Sequence, residues 1–537
     1  PTPAPPQFER VTFQQSTLGP ARFLPDGQSV ISTELRGSSA ASPFSARLDS
    51  PGLQPLNQNF ARVLAVSAAG VAVLQHPATI TAYEVAGTLA LMPLGGGAPR
   101  PLLDMIEDAT WAPGAASASG DPLAKLAIVR FDPKGRATTL EYPPGKVLYR
   151  TVGWLSTPRF SADGKLIAAF EHPTPGDDKG GVVVLDESGG VKLHGAQFNS
   201  AQGLAWSPGG NEVWFTASKN TSQRSLYDLS LSGRQRQLLS SPESLFLDDV
   251  LPDGRALIAS EQERILAMLV TPDHPDPRDI AILDWANRSE LSRNGRQILV
   301  GDEDADPRYA TFLEDASGSA PVRLGPGDPN DLSSDGQWAL SMVPGGAESA
   351  RQLWLLPTGA GAARQLTHGD MIWSAARFVA GRNLIVALGN APGRARRTYL
   401  IAWNGAVQPL TPEGVLGILS TPDGKNILAM DRDRLFTYPV GGGPAAAVPA
   451  HLNPGQSPVG FGPDSSTLYV QDTTAGNVAR VTRVNLGSGA QQPMFQISMR
   501  DRPAGPLRIS GISADGKTYI YTYASTVSTL YVVTGLH

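Results

Sequence analysis

The sequence contains no cysteine, which excludes disulfides, thiol nucleophiles and thiolate metal sites. Charge is also scarce: 17% of residues are charged and the formal net charge is −5. No tract dense in Lys and Arg appears, which argues against a nucleic-acid partner. The longest apolar run, Val63 to Leu74, is interrupted at Ser67 and falls far short of the roughly 20 residues a membrane-crossing helix needs. The chain begins on Pro1 with no signal peptide and reads as a processed or trimmed chain. Catalytic motifs are missing as well. There is no G-x-S-x-G nucleophile elbow, and no H-R-D, D-F-G or V-A-I-K segment for phosphoryl transfer. The seven histidines (76, 172, 194, 274, 368, 451 and 537) are scattered without an H-x-x-x-H pair. No catalytic residue and no cofactor is assigned, and the expectation is a chain that is not an enzyme.

Glycine and proline, by contrast, are abundant, at 57 and 46, while 41% apolar residues leave enough for a packed core. Their arrangement is periodic. The stretch Arg159-Phe160-Ser161-Ala162-Asp163-Gly164-Lys165-Leu166-Ile167-Ala168-Ala169-Phe170 reads as a β-hairpin turning on Asp163-Gly164. The same Asp-Gly turn recurs at 26–27, 253–254, 335–336, 423–424 and 515–516, with degenerate copies at 69–70, 209–210, 294–295, 380–381 and 464–465. Successive turn glycines at 254, 295, 336, 381 and 424 give a period of about 44 residues, the size of a four-stranded propeller blade. Gly164, Gly336 and Gly424 are expected at positive φ.

Taken in order, Pro1 to Pro6 form a stiff lead-in, and Phe8 to Phe13 alternate as an outer strand should. The repeat from Met371 shows all four strands: Ala375 to Val379, Asn383 to Leu388, Thr398 to Trp403, and a fourth through Leu410. Twelve first strands are centred near Phe23, Val66, Trp111, Phe160, Trp206, Val250, Leu291, Leu332, Phe378, Ile418, Gly460 and Ile512. The fold class is therefore all-β, a propeller of about twelve blades. Two six-bladed rings in tandem, 1–272 and 277–537, are the simplest division, with the Pro-rich stretch Thr271 to Pro277 between them. Seven plus five blades, or one very large ring, are the alternatives. In the six-plus-six scheme Phe8 to Phe13 closes against Ile265 to Val270, and Thr529 to Val533 against Asp279 to Leu283. A single ring would place Phe8 to Phe13 beside Thr529 to Val533.

The hairpins PRFSADGKLIAAF, LAWSPGGNEVWFTA and ISADGKTYIYTY resemble the TolB-like propeller repeat, a relative of the WD-repeat class. The ending from Asp515 to Tyr523 and from Ser528 to Leu536, with the segments at 145–149 and 153–160, resembles the C-terminal region of bacterial membrane-anchored serine/threonine kinases. That resemblance implies an extracytoplasmic, non-catalytic sensor (periplasmic or cell-surface) that binds a ligand or protein partner through propeller loops and channels. It also implies a tether through a membrane span outside this sequence. The alternative is an accessory propeller that gates substrate entry to a prolyl-oligopeptidase-like peptidase, the catalytic domain lying outside this chain.

Three motifs compete with these readings. Gly511 to Thr518 formally matches the phosphate-binding G-x-x-x-x-G-K-[ST], but strand-forming Tyr519-Ile520-Tyr521 follows where a helix is required, so a blade hairpin is expected. Asp302, Asp304 and Asp306 alternate as at the start of a calcium loop, yet Pro307 and Leu313 stand where that loop needs Gly and Glu. They are weak metal candidates, read as solvated loop acids. Trp111, Trp154, Trp206, Trp285 and Trp373 sit at or near the entry to first strands. They are candidates for a ligand-stacking surface at the channel entry, with packing between blades as the default.

Overall fold

A computed structural model describes residues 5–536, apart from 15, 36–40, 51, 82, 116–120, 122, 134–136, 221–222, 287, 303–304, 307, 345–350, 433, 474–477 and 500–506. The chain is all-β. Strands hydrogen-bond in sequence order into antiparallel, mostly four-stranded sheets, such as Trp154–Phe160, Leu166–His172, Gly181–Asp186 and Val191–His194. Eleven of the twelve anticipated centres fall on strands at the edge of a sheet; Trp111 instead ends Arg100–Trp111, which lies in the middle of a seven-stranded sheet. No helix among the described residues is long and apolar enough to cross a membrane.

Packing explains why the second strands read as unbroken apolar runs. In Leu166–His172, Ala168 and Phe170 pack with Phe215 on one side, while Ile167 and Ala169 pack with Val129 and Leu140 on the other. Successive side chains point to opposite faces, so a sheet covered on both faces must be apolar at every position.

Each hairpin turn is a self-contained hydrogen-bonded unit. Gly164 N–H donates to the Ser161 carbonyl at 2.9 Å, and the Ser161 hydroxyl donates to Asp163 at 2.7 Å. The same pattern recurs at Ser333 to Gly336, Thr421 to Gly424 and Ser513 to Gly516. The last of these is the formal phosphate-loop match, here a turn between Arg508–Ile512 and Tyr519–Thr534. Gly164, Gly336 and Gly424 take φ of 75°, 70° and 64°, as expected.

The three turns differ in their surroundings. A Cβ on Gly164 would meet Pro113 at 3.4 Å, an ordinary contact, whereas one on Gly424 would lie 2.0 Å from the Ala380 carbonyl oxygen. Gly164→Ala should therefore cost only the left-handed backbone penalty of about 1–2 kcal/mol. Gly424→Ala must also displace main chain and should cost clearly more. Equal denaturation midpoints for the two variants would contradict this account.

The chain divides into two compact units, residues 1–263 with 526–537, and residues 264–525. Both divisions fall inside long strands, Ala256–Val270 and Tyr519–Thr534. In the first unit, the opening strands of successive sheets lie side by side from Arg22–Phe23 to Ser244–Val250, which returns against Arg22–Phe23. Its closing sheet runs Ser244–Val250, the first part of Ala256–Val270, the last part of Tyr519–Thr534, and Gln7–Arg10. In the second unit the opening strand Ser289–Leu291 contacts both Asp328–Leu332 and Arg508–Ile512.

These pairings correct the anticipated closure. Phe8 pairs with Val533, and Val11 N–H donates to the Leu530 carbonyl at 2.8 Å, while Met268 pairs with Asp279. The contact assigned to a single ring is thus present in a chain of two units. The reason is strand length: at 15 and 16 residues, Ala256–Val270 and Tyr519–Thr534 each supply strands to both units. The boundaries move accordingly. Residues 264–272 belong to the second unit and 526–537 to the first, and the Pro-rich stretch after Val270 is a loop inside the second unit.

Candidate functional site

The opening strands carry acidic residues just before their turns, and those acids have a structural use. An innermost strand has no neighbour on its channel side, so its N–H groups there need other acceptors. Asp248 accepts from Ala21 N–H at 2.8 Å and Asp249 from Phe23 N–H at 3.0 Å. Asp108 accepts from Thr157 N–H at 2.9 Å, and in the second unit Asp331 accepts from Phe378 N–H at 2.8 Å. Each carboxylate ties one opening strand to another. Burial pushes the Asp248 carboxyl up to about 7.

Within the second unit, a cavity of about 500 Å³ opens at the hairpin end of the opening strands. Glu290, Asp331 and Arg377, from three consecutive opening strands, form its charged wall. Arg377 lies 2.9 Å from Glu290 and 3.6 Å from Asp331. Burial raises the Glu290 carboxyl to about 7 despite the guanidinium, and raises Asp331 in the same direction. The other three opening strands contribute Leu419, Val459, Gly460 and Gly511, which carry no charge. Arg293 is held at the rim by donating to the carbonyls of Phe461 and Gly462. The site therefore pairs a carboxylate-rich wall with an uncharged one, where Leu419 and Val459 lie beside Ser420 and Ser510.

The tryptophans are placed elsewhere. Trp206 is buried in a core cluster and donates to the Arg159 carbonyl at 3.0 Å. Trp373 is 2% exposed, edge-on to Tyr399. Trp111 packs against the core around Leu64 and Ile106. Trp154 stacks on His172 at 3.8 Å and donates to the Asp177 carbonyl, and half-buried Trp285 bridges to Ile265. None of the five lines the 500 Å³ cavity.

Of the candidate calcium loop, Asp304 lies outside the described residues. Asp302 is fully buried and accepts from the N–H groups of Leu283 and Ala305. Asp306 is 2.6 Å from Arg323. No cluster of three metal-ligating side chains occurs among the described residues.

Sequence reading missed the channel groups, although a positional signal exists. Arg22, Arg159, Asp249, Glu290 and Asp331 each stand five residues before a turn glycine. That register brings Glu290 and Asp331 to the cavity wall.

No family model matches the sequence, and no curated relative matches it. Solved structures of similar build include a TolB homologue from Agrobacterium tumefaciens at 13% identity and TM-score 0.28, covering 62% of this chain and 93% of that one. A prolyl endopeptidase is similar at 14% identity and TM-score 0.27, covering 69% of this chain and 54% of that one. The tricorn protease is similar at 12% identity and TM-score 0.33, over 91% of this chain and 59% of that one. This chain thus spans less than two thirds of either peptidase. The likeness is one of fold only, and the β-propeller itself is read from the sheets and the side-by-side opening strands described above.

Proposed function

We propose that the chain is a non-catalytic binding module made of two six-bladed propellers, residues 1–263 with 526–537 and residues 264–525, and that it takes its ligand in the channel of the second. The observation that carries this reading is the 500 Å³ cavity, which falls in the range of small-molecule pockets and is walled by the opening strands, with their hairpin turns at its rim. The resemblance of the C-terminal region to membrane-anchored kinases supports an extracytoplasmic sensor, in which occupancy of the channel is the signal.

The test is a fragment screen by protein-observed NMR, repeated on Ser334→Trp. Ser334 is exposed at the rim of the cavity, so the indole should obstruct entry without disturbing the core. Hits on the wild type that vanish in a variant of unchanged melting temperature are expected. Hits that persist in Ser334→Trp, or none at all, would overturn the assignment.

A further inference from the structure

We infer that the cavity of the second unit selects a ligand with a cationic head and an apolar body, an ammonium or guanidinium group seated against Glu290. The inference rests on the proposed binding function and adds the chemistry of the ligand.

The argument begins with which hydrogen-bonding capacity is already used. Arg377 is the guanidinium in the charged wall, and it is shared between Glu290 and Asp331. Arg293, at the rim, is committed to two backbone carbonyls. Asp331 accepts from the N–H of Phe378. Glu290 meets Arg377 through Oε2 at 2.9 Å, and among the described residues no donor is seen on its Oε1. What the wall still offers is therefore an acceptor, and a ligand must donate.

Charge selects among donors. The charged groups lining the cavity are three carboxylates, Glu290, Asp331 and Asp335, against two arginines, Arg293 and Arg377, so the ionised lining carries a net −1 and favours a cation over a hydroxyl or amide. Arg293 and Asp335 stand on the turns, and Arg288, just before the strand Ser289–Leu291 and outside the cavity lining, is a further charge near Glu290. Asp335 already accepts from the Ser333 hydroxyl and the Gln337 N–H. Opposite this wall, Leu419, Val459 and Phe461 present apolar surface. A head and a body on one short ligand match the two walls.

A consequence follows for protons. Burial holds the Glu290 carboxyl near neutrality when the cavity contains no cation. A bound ammonium favours the ionised form, so binding should release a proton, and affinity should increase from pH 6 to pH 8.

Three probes with one skeleton make the test: 4-phenylbutylamine, 4-phenylbutanol and 4-phenylbutyrate, titrated by calorimetry in buffers of different ionisation enthalpy. The amine stays protonated throughout this pH range. It should bind at least tenfold tighter than the alcohol, more tightly at pH 8 than at pH 6, and with proton release near pH 7. Glu290→Gln should lose at least tenfold for the amine and little for the alcohol. Preferential binding of the butyrate, equal binding of amine and alcohol, or amine affinity unchanged in a folded Glu290→Gln would overturn the inference. If fragments occupy the cavity but the amine shows no preference, the cationic specificity fails and the binding function stands. If neither fragments nor probes bind, both fail. The comparison of the three probes on the wild type decides the matter even if Glu290→Gln does not fold.

Discussion

Replacing Arg224 by Ala should destabilise the first unit by about 3–5 kcal/mol, the magnitude for removing one partner of a buried ion pair. Its side chain is 1% exposed, and its guanidinium lies 2.6 Å from Glu261 and 3.9 Å from both Asp178 and Glu263. It also donates to the Leu245 carbonyl and the Ser200 hydroxyl. Without it, three carboxylates share a desolvated space with no cation among them. Asp178 is already raised to about 6 by burial with the arginine in place. Loss of the arginine pushes the Asp178 and Glu261 carboxyls, both already raised by burial, higher still, so protonation relieves the defect in acid. The deficit in urea denaturation should be largest at pH 8 and smaller at pH 5. Arg224→Lys should recover only part of it, since an ammonium cannot reproduce the guanidinium's fork of donors. A deficit below about 1 kcal/mol at pH 8 would show that the carboxylates find solvent or other donors, and that the cluster does not depend on Arg224.

The repeat was legible because its turns are local chemistry. Ser161, Asp163 and Gly164 satisfy one another within four residues, so the hairpin is specified by its own sequence and recurs wherever that sequence does. The order of strands within a blade follows from short connections and was legible for the same reason. Ring closure was not, because it depends on partners hundreds of residues apart. Nothing near Phe8 indicates Val533 rather than Met268 as its neighbour, since both segments alternate in the same way. The length of Ala256–Val270 was the available signal. An apolar pattern that continues past Glu261 and Glu263 without a turn residue marks a strand that does not stop at its blade's edge.

The candidate site was legible in position and not in partnership. Five residues before a turn glycine is the register that places Glu290 and Asp331 on the cavity wall, and it can be read directly from the repeats. That Arg377 would lie between them depends on three successive opening strands aligning across the channel, which only the folded chain shows. The tryptophans drew attention because they are large and recur near strand entries. Yet a large ring at that position most readily fills the space between blades, as Trp206 and Trp373 do. Buried aspartates such as Asp248 carry the opposite lesson. Paired acids suggest an ion, but at the edge of an innermost strand they are needed by backbone N–H groups.

Glu107 supplies the second large expected effect, a dependence of stability on pH. It lies on the strand Arg100–Trp111, with Oε1 buried and without a hydrogen-bond partner, and Oε2 accepting from the Thr138 hydroxyl at 3.3 Å. Burial, reinforced by Glu84 and Asp108 and only partly offset by Arg62, raises its carboxyl from 4.5 to about 8. In the folded chain it therefore keeps its proton up to about pH 8, whereas in the unfolded chain it loses that proton above about pH 4.5. Between those limits unfolding releases a proton, so stability falls as pH rises, by at most about 1.4 kcal/mol per pH unit for one group. Glu107→Gln removes the titration and keeps the shape. The variant should gain on the wild type steadily from pH 5 to pH 8 in urea denaturation, whatever offset it shows at pH 5 from accommodating the amide. The gain should level off above pH 8, where the folded carboxyl ionises too. Parallel pH curves for the two proteins would mean that Glu107 is ionised in the fold and that Arg62 compensates for its burial.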